Sequence, residues 1–124
     1  MSFCILIVED EMLLALDLEH MLRDAGYDVC GVATDADEAV TAVQRRTPDL
    51  ALMDVRLAHD SSGIDAARRL RRCWNVPSIF VSANLDQDTR AHAMEAAPLG
   101  FVNKPYRQRD ILAAVASAAA RLSA

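Results

Sequence analysis

Two periodicities alternate along the chain: short apolar runs of strand length, and longer stretches in which apolar residues return every three or four positions. This alternation predicts a parallel α/β sheet with helices on its faces. The first run, Phe3-Cys4-Ile5-Leu6-Ile7-Val8, is apolar on both faces, as a central strand covered from both sides must be. Leu14, Leu18, Met21 and Leu22 then recur at helical spacing between Met12 and Ala25, and Gly26 supplies a left-handed C-cap. Asp28 to Ala33 reads as a second strand. Asp35 and Glu38 form a capping pair for a helix running to about Arg46, where Pro48 stops it.

A third strand, Leu50 to Met53, leads straight into Asp54. A polar loop through His59, Asp60, Ser61 and Ser62 precedes a helix from about Ile64 to Cys73, with Ile64, Ala67 and Leu70 on one stripe. Pro77 introduces the strand Ser78 to Val81. Asp86 to Glu95 is a weaker helical stretch, poor in large apolar residues. Pro98 and Gly100 lead into the short strand Phe101 to Asn103, and an Ala-rich helix covers roughly Arg107 to Leu122. Five strands and five helices in strict alternation, joined by short right-handed crossovers, make a doubly wound sheet.

Length limits this to one domain, residues 1–124, and 52% apolar with 25% charged residues places it in the globular class. No apolar run approaches the roughly 20 residues that cross a bilayer, so no membrane span or membrane partner is expected. The N-terminus has no basic region ahead of its apolar run, which leaves a cytoplasmic address as the expectation. Cys4, Cys30 and Cys73 are widely spaced and odd in number, a pattern of structural thiols in a reduced compartment. A net charge of -5 argues against a nucleic-acid partner, and the cluster Arg68, Arg69, Arg71 and Arg72 reads as a solvated helix face.

Ligands of doubly wound sheets bind outside the carboxyl ends of the strands. There the first strand presents Glu9-Asp10, the third Asp54, the fourth Ser82, and the fifth Asn103-Lys104-Pro105. If the first and third strands are neighbours, three carboxylates converge on one crevice. At about 5 Å, each pair repels by roughly 3 kcal/mol at an effective dielectric of 20. A cation is needed to hold them together, and an all-oxygen donor set without His or Cys favours Mg²⁺. Lys104 adds a compact positive charge facing the carboxylates, and Ser82 a hydroxyl. Singly, each of these residues is more often a cap, a turn or a solvated charge. Jointly, at the binding ends of four strands and in complementary signs, they point to one site.

Val8-Glu9-Asp10-Glu11, Leu52-Met53-Asp54-Val55-Arg56, Val81-Ser82-Ala83 and Val102-Asn103-Lys104-Pro105, in this order and at this spacing, resemble the signature of response regulator receiver domains over essentially the whole chain. The resemblance implies a flavodoxin-like receiver fold with strand order 2-1-3-4-5, in a stand-alone, chemotaxis-regulator-like form. It implies a phosphoacceptor receiver of a two-component phosphorelay, with Asp54 the phosphoacceptor. Mg²⁺ would be held by Asp10, Asp54 and the backbone carbonyl of Arg56, with Glu9 acting mainly through bound water. Ser82, Ala83 and Lys104 would bind the phosphoryl group, and Phe101 would be the switch aromatic that turns inward when Ser82 moves. Arg56 and Asn84 fall at the two positions that tune phosphoryl lifetime. The implied partners are a sensor histidine kinase or a histidine phosphotransfer protein, a downstream protein target, and a phosphorylation-dependent second copy.

The loop Val55 to Gly63 departs from the pattern, lacking a common Pro and running one residue longer. Without metal, Arg56 is expected to lean over the site and pair with Glu9. His20, His59 and His92 share no ligand spacing, and Trp74, Tyr27 and Tyr106 read as packing residues. Three rival readings share parts of this architecture. An FMN carrier needs a phosphate-cradling loop where this chain has Glu9-Asp10-Glu11. A phosphohydrolase needs a general acid or base and a substrate cap. A degenerate receiver, acting only as an interaction module, has no need of the full set of Glu9, Asp10, Asp54, Ser82 and Lys104.

Overall fold

The computed structural model describes residues 2–123. Strands β1 (Cys4–Val8), β2 (Asp28–Ala33), β3 (Leu50–Met53), β4 (Ser78–Ser82) and β5 (Gly100–Asn103) form one parallel sheet in the order β2-β1-β3-β4-β5. Helices α1 (Met12–Asp24), α2 (Ala36–Arg45), α3 (Gly63–Trp74), α4 (Gln87–Ala93) and α5 (Gln108–Ser123) fill the crossovers. The five-by-five alternation is the one the periodicity predicted, and the strand order is the one the receiver-domain resemblance implied.

Alternation along each strand assigns the helices to the two faces. Leu6 and Val8 of β1, with Ala51, Met53 and Phe80, pack against Val40 and Val43 of α2, Ile64 and Leu70 of α3 and Ala93 of α4. Ile5 and Ile7, with Leu50, Leu52, Ile79 and Val81, pack against Leu18 and Leu22 of α1 and Ile111 and Val115 of α5. The central strands β1, β3 and β4 are therefore buried throughout. Cys30 is the extra residue of a bulge in β2, where the register with β1 slips between Ile5 and Leu6.

Local chemistry sets the helix ends. Asp35 Oδ1 accepts from the Glu38 amide at 2.8 Å. Glu38 reaches back past Asp35 to the amide and hydroxyl of Thr34, at 2.8 and 2.9 Å, a variant of the expected capping pair. Ser62 caps α3 through the Asp65 amide and Asp86 caps α4 through the Thr89 amide. Gly26 takes φ +96° just past Ala25, the C-cap of α1, as its position predicted. On α1, Ala15 and not Leu14 completes the buried stripe, because Leu14 turns toward the Lys104 side of the crevice. The weak helical stretch after Asp86 divides into α4 and a 3-10 turn, Met94–Ala96. No helix among the described residues is long and apolar enough to cross a membrane.

Candidate functional site

The sheet delivers the polar strand ends to one crevice by ordinary ladder hydrogen bonds. The Glu9 amide donates to the Ala33 carbonyl at 2.9 Å, the Asp54 amide to Val8 at 3.0 Å, and the Lys104 amide to Ser82 at 3.0 Å. Glu9, Asp10 and Asp54 thereby bring carboxylate oxygens within 4.8 Å of one another. Lys104 Nζ donates to Glu9 Oε1 at 2.5 Å and to Asp54 Oδ2 at 2.8 Å. The remaining oxygens are occupied by backbone: Glu9 Oε2 accepts from the Glu11 amide at 3.1 Å, and Asp54 Oδ1 from the Val55 amide at 2.7 Å. Asp10 is exposed at the mouth, whereas Glu9 is only 2% exposed.

Burial raises the Glu9 carboxyl above 4.5; the Lys104 and Glu11 hydrogen bonds pull it down, and the Asp54 charge adds to the rise. Burial works against the Lys104 ammonium, but its bonds to Asp54 and Glu9 outweigh this and hold it above 10.5. The two rise for different reasons: Glu9 chiefly because burial disfavours its anion, Lys104 because one ammonium bonds two anions. Three carboxylates facing one ammonium leave two negative charges uncompensated, a deficit that fits a divalent hard cation on an all-oxygen donor set.

The structure does not form the expected Arg56–Glu9 pair among the described residues. Lys104 and the Glu11 amide already occupy both Glu9 oxygens. The Arg56 guanidinium instead reaches the β4–α4 loop. With the Asn84 amide oriented to satisfy both its ends, its oxygen accepts from Arg56 Nε at 2.9 Å and Nη2 at 3.2 Å. Ser82 is buried, and its Oγ accepts from the Asn84 amide at 3.2 Å; Ala83 beside it is exposed. Phe101 is half-buried and stacks on Phe80, with ring centroids 5.9 Å apart and planes at 22°.

The longer loop after Asp54 is a small hairpin. Arg56 bridges to Ser62, and the Leu57 amide donates to Ser61 at 3.1 Å. His59 and Asp60 take left-handed φ of 60° and 55° at its tip. The tip docks on the start of α2: the Ala58 amide reaches Thr34 at 3.0 Å, Ser61 Oγ accepts from Ala36 at 3.1 Å, and His59 Nδ1 lies 2.8 Å from Asp35 Oδ2. The Glu38 amide first, and then His59, hold the Asp35 carboxyl below its ordinary range.

One residue of the site escaped the sequence reading. A Cβ on Gly63 would lie 1.7 Å from the Asp54 carbonyl oxygen, so only glycine lets α3 start against the backbone that carries Asp54. The signal available was a Gly directly behind the Ser62 cap, at the close of the loop. Gly63→Ala is expected to cost about 2–3 kcal/mol, lowering the thermal midpoint by roughly 10 °C, because the blocking atom is backbone and cannot rotate away. A melt within a degree or two of the wild type would contradict that steric reading.

Beside Lys104 lies a cavity of about 440 Å³ lined by Glu11, Leu14, Asp17, Ala83, Lys104, Pro105 and Tyr106. Burial, with Asp17 nearby, pushes the Tyr106 phenol above 10, and its hydroxyl has no hydrogen-bond partner among the described residues. The adjoining face of α1 exposes Met12, Leu13 and Leu16, Leu13 to 83%.

A family model described as the response regulator receiver domain matches residues 5–116. The chain is 35% identical over 117 residues to the transcriptional regulatory protein PdtaR of Mycobacterium tuberculosis, covering 94% of this chain and 57% of that protein. It is 38% identical over 115 residues to the phyllosphere-induced regulator PhyR of Methylorubrum extorquens, covering 92% and 42%. It thus spans about half the length of these curated relatives. The signal receiver domain of a modulated diguanylate cyclase from Desulfovibrio desulfuricans G20 superimposes with a TM-score of 0.90 at 32% identity, covering 99% of this chain and 98% of that one. The family match runs from β1 into α5 and the fold superimposes over 99% of the chain, and the chain belongs to the response regulator receiver domain family.

Proposed function

We propose that residues 1–124 form one receiver domain that accepts a phosphoryl group on Asp54 from a histidine kinase or a histidine phosphotransfer protein. Glu9, Asp10, Asp54 and the Arg56 backbone carbonyl are the proposed Mg²⁺ ligands. The observation that carries this reading is the cluster itself: three carboxylates within 4.8 Å of one another, with one ammonium bonded to two of them. Bound Mg²⁺ supplies charge neutralisation on the transferring phosphoryl oxygens.

The chain's own residues supply the rest. The Val55 amide and Lys104 each fix one Asp54 oxygen, so the carboxylate is oriented before a phosphodonor arrives. Lys104 then exchanges its Asp54 contact for a phosphoryl oxygen. The Ser82 hydroxyl, which makes no donor bond among the described residues, and the Ala83 amide donate to the phosphoryl group. Movement of Ser82 vacates space beside Phe101. The apolar rim of Met12, Leu13 and Leu16, with the cavity beside Lys104, is the proposed seat of the phosphohistidine-bearing partner.

Incubated with Mg²⁺ and acetyl phosphate, the protein is expected to gain one phosphoryl group, about 80 Da by intact mass, and to gain none in excess chelator. No adduct, together with no Mg²⁺-dependent binding of beryllofluoride, would contradict the proposal. Arg56→Ala is expected to shorten the aspartyl phosphate lifetime several-fold, because the side chain two residues beyond the modified carboxyl no longer screens it from water. Decay of the mass adduct measures this, and a longer lifetime would contradict the screening role.

A further inference from the structure

Two arginines grip consecutive residues of the β4–α4 loop from opposite directions. Arg56, two residues beyond Asp54, holds the Asn84 side-chain oxygen at 2.9 and 3.2 Å. Arg90, within α4, donates from Nε to the Leu85 carbonyl at 3.0 Å. The same Arg90 guanidinium lies over the Phe101 ring, 4.8 Å from its centroid, and that ring also stacks on buried Phe80. Leu85 is packed into the core, so the Asn84-Leu85 step is held by the Leu85 side chain, by Arg90 at the Leu85 carbonyl and by Arg56 at the Asn84 side chain.

We infer that Arg56, the Asn84-Leu85 step and Arg90 form a relay that reports the state of Asp54 to Phe101. The inference rests on Asp54 being the phosphoacceptor. An aspartyl phosphate at Asp54, two residues before Arg56, offers acceptor oxygens that carry charge, whereas the Asn84 amide oxygen is neutral. Charge-assisted hydrogen bonds are about twice as strong as neutral ones, so the guanidinium leaves Asn84 for the phosphoryl group. The loop then loses one of its two grips. The Leu85 carbonyl is free to shift, and Arg90 cannot follow it while staying over the Phe101 ring. Arg90 is thus a positioning residue: in the resting protein it caps the ring in its half-buried place, and its release frees the ring to move. This route runs beside any coupling through Ser82 and makes a separate demand, that the resting position of Phe101 depend on Arg90.

The test is a double-mutant cycle read with beryllofluoride, a phosphoryl mimic, in the presence of Mg²⁺. Arg90→Met keeps an apolar stem and removes the guanidinium. If Arg90 biases the resting state, this variant half-saturates at roughly two- to fivefold lower beryllofluoride than the wild type, the bias that one exposed cation–π contact supplies. The gain must disappear in a Phe101→Leu background. In the unliganded protein, the Phe101 ring resonances of Arg90→Met and of Asn84→Ala are both expected between those of free and beryllofluoride-bound wild type. Equal half-saturation of wild type and Arg90→Met, an undiminished gain in the Phe101→Leu background, or ring resonances unmoved by Asn84→Ala would each overturn the relay. Failure of every variant and the wild type to bind beryllofluoride would contradict the phosphoacceptor reading and take the coupling with it. The resting grip has its own readout in the ring-current shift of the Arg90 side-chain protons, which Phe101→Leu must abolish; its absence from the wild type overturns the inference independently.

Discussion

An Asp54→Asn variant is expected to fold as the wild type does and to gain no phosphoryl group from acetyl phosphate at any Mg²⁺ concentration. The asparagine matches the carboxylate in shape, and its amide oxygen can keep one of the two bonds that hold Asp54, from Val55 or from Lys104. What it lacks is the second anionic oxygen that attacks phosphorus and forms the acyl phosphate. Asp10→Asn should behave differently: the nucleophile remains and one exposed carboxylate is lost, so labelling should return as Mg²⁺ is raised. Intact mass spectra across a Mg²⁺ titration separate the two. Full labelling of Asp54→Asn would place the acceptor elsewhere.

Lys104→Met should destabilise the fold about as much as Gly63→Ala, for an electrostatic reason. Removing the ammonium leaves the buried Glu9 carboxylate and Asp54 facing each other without a cation. The expected cost is about 2–3 kcal/mol at pH 7, below that of orphaning a fully buried charge because the crevice opens to solvent at Asp10. For a chain of this size that lowers the thermal midpoint by roughly 10 °C. The pH dependence carries the diagnosis. Glu9 titrates higher in the folded protein than in the unfolded chain, so the folded state binds the extra proton and stability falls as pH rises above 4.5. Lys104 is also raised, and its contribution is present below 10.5 and lost as pH climbs through its folded value. Without Lys104, one of the pulls that lowers Glu9 is lost and its carboxyl rises further, so lowering the pH should protonate it and narrow the gap between variant and wild type. Added Mg²⁺ should narrow the gap at pH 7. A deficit independent of both pH and Mg²⁺ would mean that Lys104 acts through packing alone.

Much of this was legible because the determining forces are local. Fully apolar runs such as Ile5 to Val8 mark central strands, and a cap such as Asp35 states where a helix begins. The strand-end rule then gathered Glu9, Asp10, Asp54, Ser82 and Lys104 without a coordinate in hand. What was not legible depends on which of several partners wins in three dimensions. Arg56 was expected on Glu9 by charge, but Lys104, reaching across from the end of β5, already bonds Glu9, and the guanidinium lies on Asn84. The demand on Gly63 arises from the approach of α3 to the Asp54 carbonyl, a distance that no local pattern encodes. The hairpin after Asp54 was likewise hidden, since His59 and Asp60 are ordinary loop residues until tertiary ties to Thr34, Asp35 and Ala36 hold them in left-handed conformations.

Reductive trapping tests the central claim most directly. Borohydride converts an acyl phosphate of aspartate to homoserine, and a tryptic digest then localises the change. After treatment with acetyl phosphate and Mg²⁺, the account predicts homoserine at Asp54 in the peptide Thr47 to Arg56, with Asp49 in the same peptide and Asp10 unchanged. Homoserine at Asp10 or Asp49 with Asp54 intact would contradict it.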